Sequence, residues 1–105
     1  MATDPCGAAV LLAQDVRQDW KGSMPSLMEL TKIDKPCALK QLIELMDLPD
    51  GRDINTSLRR YIWEDVQRRA AAMNSFTPPY DPSAAQDTRT SQKSAWIAWY
   101  DATFH

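Results

Sequence analysis

The sequence predicts an all-α fold, a small single-domain helical bundle. About four principal helices are expected, plus short helical turns and a proline-rich extended arm before the last helix. Three observations carry this. Apolar residues recur at steps of three and four along most of the chain, the spacing of one helix face. No stretch alternates apolar and polar residues as a half-buried strand does. Cap-plus-proline pairs and glycine or proline stops separate the periodic segments. At 105 residues the chain suits one domain, 1–105, and four Trp, three Tyr and two Phe supply bulky core material.

Asp4-Pro5 reads as an N-cap followed by proline at the first helical position. The first helix then runs to Lys21, with Ala9, Leu12, Ala13, Val16 and Trp20 on one face and Gly22 as its stop. Val10 and Leu11 fall off that stripe, which suggests a second neighbour. Ser26 and Glu29 have capping-box spacing and predict a short helix to Ile33, presenting Leu27 and Leu30. Asp34-Lys35-Pro36 restarts the chain. From Pro36 to Asp47 the segment is cleanly amphipathic: Ala38, Leu39, Leu42, Ile43, Leu45 and Met46 face one way, and Lys40, Gln41, Glu44 and Asp47 the other. Leu48-Pro49-Asp50-Gly51 is a turn, since proline fixes φ and glycine permits positive φ.

The longest helical pattern follows, over about 56–73, with Asp53, Asn55 or Thr56 as its cap. On a wheel of 100° per residue, Leu58, Ile62, Val66, Ala70 and Met73 share about a third of the circumference. Arg60, Glu64 and Arg68 make an opposite ladder, and Asp65 and Arg69 an i, i+4 pair. Arg59 and Arg69 project near the apolar stripe, where they either snorkel or stack on aromatic rings. This helix is expected to be the scaffold on which the others pack. Residues 75–90 form the arm and loop. Two prolines extend residues 75–81, Asp81-Pro82 starts one turn through Gln86, and 87–90 is loop. Ser91 caps a last helix over 91–105, whose face is Trp96, Trp99, Tyr100, Thr103 and Phe104.

Charge and chemistry exclude more than they suggest. The net charge of −2 gives no general attraction to nucleic acid. The charge is uneven, −3 over residues 1–51 and +1 over 52–105. Cys6 and Cys37 lie in no paired motif, so both are expected reduced, in a cytoplasmic location or inside a virion if the source is a phage. No apolar run is long enough to span a bilayer, so no membrane partner is expected. The only histidine is His105, at the chain end. The segment around Gly51 fails as an EF-hand: with Gly51 sixth, Met46, Leu48 and Ser57 occupy ligand positions. There is no phosphate-binding glycine loop and no nucleophile elbow. Cys37, at a helix start where amides lower a thiol pKa, is the one enzymatic candidate. The reading is no enzyme, with no catalytic residue, cofactor or metal.

Two binding readings remain. The first is a protein–protein interaction or assembly subunit, possibly bacterial or phage, acting as an adaptor. Its contacts would be Phe76, Tyr80, Trp96, Trp99, Tyr100 and Phe104, in the arm and the aromatic last helix. Those aromatics are otherwise core. The second is a small nucleic-acid-binding module that uses Arg52, Arg59, Arg60, Arg68 and Arg69 on phosphate or an acidic partner. It is less favoured, because Glu64 and Asp65 interrupt the cluster. Leu39-Lys-Gln-Leu42, Leu48-Pro49 and Gly51, followed by the Leu58 helix, resemble a SAP-type helix-extended-helix module over about 25 residues. That resemblance implies nucleic-acid binding. The turn spacing departs from the pattern, and Arg52 stands where the family has lysine.

Overall fold

A computed structural model describes residues 4–18, 23–48, 54–73 and 77–104. Among the described residues it contains five helices and no strand: α1 (Pro5–Gln18), α2 (Ser23–Thr31), α3 (Pro36–Glu44), α4 (Ile54–Ala72) and α5 (Gln86–Thr103). The starts of α1 and α3 follow their local signals. The Asp4 carboxylate accepts from the Cys6 amide at 3.2 Å, as an N-cap does. Lys35 is extended (φ −141°, ψ 149°) because Pro36, at the first helical position, excludes the helical conformation from the residue before it. After Glu44, the Leu45 amide reaches the Gln41 and Leu42 carbonyls, and the chain leaves α3 through turns to Leu48.

The hub is α3, not the long α4. It packs against each of the other four helices, while α4 touches only α2 and α3 by backbone proximity. The reason is local. Ala38, Leu39, Leu42, Ile43, Leu45, Met46 and Leu48 are all buried, so little of this segment is spent on solvent. Each large side chain among them contributes roughly 1.5–3 kcal/mol by leaving water. The longer α4 buries only its stripe, Leu58, Ile62, Val66 and Ala70, together with Asn55, Arg59 and Asp65. The molecule is 18 Å through its thinnest dimension. At the usual 8–10 Å between helix axes, that is about two helical layers.

Several local expectations are overridden. Cys6 and Cys37 form a disulfide, with Cα atoms 5.5 Å apart, so neither is a reduced thiol. Both sit second in their helices, after Pro5 and Pro36. Packing of α1 on α3 brings these two helix starts together, which spacing along the chain does not encode. Ser26 lies inside α2 and starts nothing. Ser23, three residues earlier, is buried instead and donates its hydroxyl to the Val16 carbonyl at 3.0 Å, tying α2 to the end of α1. Helix α1 does meet two neighbours, α2 and α3, but Val10 and Leu11 remain exposed, at 41% and 61%. Helix α5 begins at Gln86, so residues 87–90 are helical rather than loop, and Ser91 is interior. In α4, Asn55 and Thr56 also lie within the helix, while Asp53 falls outside the described residues.

Candidate binding surface

The end of α3 is fastened by side chains from distant parts of the chain. Buried backbone carbonyls need donors, and three consecutive ones in the turns after Glu44 are each met by a remote donor. The Tyr80 hydroxyl donates to the Met46 carbonyl in a short hydrogen bond. Gln86 Nε2 donates to the Asp47 carbonyl at 3.0 Å. Arg59 Nη1 and Arg89 Nη2 both donate to the Leu48 carbonyl, at 2.8 and 3.4 Å. Arg59 Nε also holds the Pro82 carbonyl at 3.2 Å, and Arg89 holds the Ala84 carbonyl and Gln86 Oε1. Lys93 pairs with the Asp47 carboxylate at 3.1 Å. These bonds hold the start of α5 against the turns that follow α3. Burial pushes the Tyr80 phenol up to about 12, against the opposing pull of Arg59 and Arg89.

The aromatic residues form one chain of rings rather than a free face. Tyr80 meets Trp63 at 5.0 Å, Trp63 meets Trp96 at 5.6 Å and Trp96 meets Trp99 at 5.1 Å. Phe104 closes the row against Trp99 at 6.4 Å and Tyr100 at 4.8 Å. Trp96 is 1% exposed and Tyr80 8%, so both belong to the core and present almost no surface to a partner. Trp99, Tyr100 and Phe104 are half-buried at the edge. Lys40 lies over the Tyr100 ring at 5.2 Å, and burial raises that phenol too. Phe76 lies outside the described residues.

The arginines separate in the same way. Arg59 is 3% exposed and structural. Arg69 is largely buried; its Nε donates to Asp65 Oδ2 at 2.8 Å and its Nη2 to the Thr31 carbonyl at 3.0 Å. Burial lowers its pKa, with Asp34 opposing. Arg68 is exposed and pairs with Asp65, not with Glu64 across the expected ladder. Arg60 is exposed, and Arg52 lies outside the described residues. The four described arginines of the candidate set, Arg59, Arg60, Arg68 and Arg69, therefore do not make one exposed basic face.

One cleft joins part of both sets. It has a volume of about 430 Å³, within the roughly 300–1,000 Å³ usual for ligand sites. Leu39 and Pro36 of α3, Ala72 and Met73 at the end of α4, and Phe104 after α5 give it apolar walls. Asp34, Lys35, Arg68 and Arg69 supply charge, and Thr31 completes it. Sequence reasoning named Phe104, Arg68 and Arg69 but missed Lys35, Leu39 and Met73. Leu39 and Met73 carried only the signal of apolar stripes, and Lys35 that of a helix restart. Among the described residues, no group of three His, Cys, Asp or Glu side chains could hold a metal ion. No described helix is long and apolar enough to cross a membrane. No protein family, curated protein or solved structure matches the chain.

Proposed function

We propose that the chain is a non-enzymatic binding module, a structural or assembly subunit that docks on a protein partner. The docking surface is the cleft at which the aromatic helix ends; Phe104 lines it, and Trp99 and Tyr100 pack on Phe104. The observation that carries this is the apolar wall of Pro36, Met73 and Phe104 over buried Leu39, beside exposed charge. Interfaces favour that combination of aromatic anchor and polar rim. Trp96 and Tyr80 are buried and do not line this cleft. The nucleic-acid alternative loses support, because Arg59 is buried on the Leu48 and Pro82 carbonyls and the candidate arginines share no single exposed face. A Cys37 enzyme loses support because its sulfur is bonded to Cys6. The disulfide also favours an oxidising compartment over the cytoplasm.

The test is site-specific photocrosslinking of the full chain in its source cells. A benzophenone side chain at position 104 should yield a discrete protein adduct, lost on Met73→Glu. The same probe at position 60, on exposed α4 surface, should not. Equal labelling from both positions, or no adduct from position 104, refutes the docking surface.

A further inference from the structure

Resting on that reading, we infer that the cleft takes an acidic peptide segment: an aliphatic or aromatic side chain against Pro36, Met73 and Phe104, and a carboxylate among Lys35, Arg68 and Arg69. The charge balance points this way. Three cations line the cleft, and the carboxylates they meet are Asp34, which also lines it, and Asp65. That leaves a net charge of +1. A single carboxylate, Asp65, serves both Arg68 and Arg69. Lys35 has no ion-pair partner among the described residues and is exposed. The Arg69 guanidinium has five N–H donors, of which Asp65 and Thr31 engage two. Its lowered pKa fits a charge short of solvation, which an added anion would relieve.

A peptide fits better than a phosphate or a fatty acid. The apolar walls offer nothing to a bare phosphate. The carboxyl end of α4 faces the cleft through Ala72 and Met73, and helix-end carbonyls seek N–H donors that a peptide has and an acyl chain lacks. A carboxylate between Lys and Arg side chains makes charge-assisted bonds, the stronger kind.

The experiment titrates the isotope-labelled full chain, followed by amide NMR. The probe is an end-blocked hexapeptide of alternating Glu and Phe. Its arms are the same peptide with Gln for Glu, and decanoate. Saturable shifts are expected around Lys35, Ala72, Met73 and Phe104, with the Glu peptide at least tenfold tighter than the Gln peptide. Lys35→Glu with Arg68→Glu, both on exposed side chains, should erase that difference while the spectrum stays dispersed. The milder pair Lys35→Gln with Arg68→Gln should narrow it. Equal binding of the two peptides in the cleft overturns the acidic partner and leaves the docking reading standing. Decanoate binding there without peptide binding overturns it in favour of a small carboxylate. No peptide shifts in the cleft, together with no crosslink from position 104, removes both.

Discussion

Replacing Arg59 by Met tests the fastening of α3 most directly. The side chain is 3% exposed and lies under residues 48 and 82. Met keeps much of the aliphatic volume and removes the donors. The Pro82 carbonyl then loses its bond at 3.2 Å, and the Leu48 carbonyl keeps only the long bond from Arg89, at 3.4 Å. Hydrogen bonds from a charged donor contribute about 1.5–3 kcal/mol each, and leaving a buried acceptor bare carries a similar penalty. Two bonds give a gross loss of about 3–6 kcal/mol. Relief from burying a cation offsets part of it, since apolar replacements of buried ions are sometimes neutral. A net loss of about 2–4 kcal/mol is expected, a large share of the 5–15 kcal/mol typical of a domain. Arg59→Lys should recover only part, because a single ammonium cannot hold both carbonyls as the planar fork does. Urea unfolding gives the magnitude, and amide exchange should show the change concentrated at residues 45–48 and 80–89. A loss under about 0.5 kcal/mol, within the range of an ordinary surface substitution, would refute the fastening.

Two further predictions follow from the same geometry. Tyr80 has a folded pKa of about 12 against a usual 10.0, so the fold favours the protonated phenol. That stability is fully present below pH 10 and is lost as pH rises from there through about 12, to an upper bound of about 2.7 kcal/mol; Tyr80→Phe should flatten the decline in an alkaline denaturation series, and an unchanged slope would count against it. The Cys6–Cys37 bond spans 31 residues of sequence. The chain-entropy relation gives it about 3.7 kcal/mol, so reductant should lower the urea midpoint of the wild type and leave Cys6→Ser/Cys37→Ser unmoved. No shift in the wild type would mean the bond is absent in solution.

Much of the fold is legible in the sequence because helix formation is a local matter. Asp4-Pro5 and Pro36 mark true helix starts, since a cap and a fixed φ act within one turn. The stripe Leu58, Ile62, Val66, Ala70 is buried as its spacing requires. The Asp65–Arg69 pair is also local, at i, i+4, and forms. What lies beyond one turn is less legible. A wheel places Arg59 beside the apolar stripe, but not against the carbonyls of Leu48 and Pro82, which are 11 and 23 residues away.

The sequence by itself determined an all-helical chain, the apolar faces of its helices and the residue types available for binding. Periodicity and capping report short-range sterics and hydrogen bonds, and those are written locally. Only the tertiary structure decided which face met which. It made the short α3 the hub, paired two cysteines that share no motif, and put Trp96 inside while leaving Phe104 at the cleft. Those outcomes depend on long-range packing, where one buried side chain is chosen over another by the shape of the space between helices.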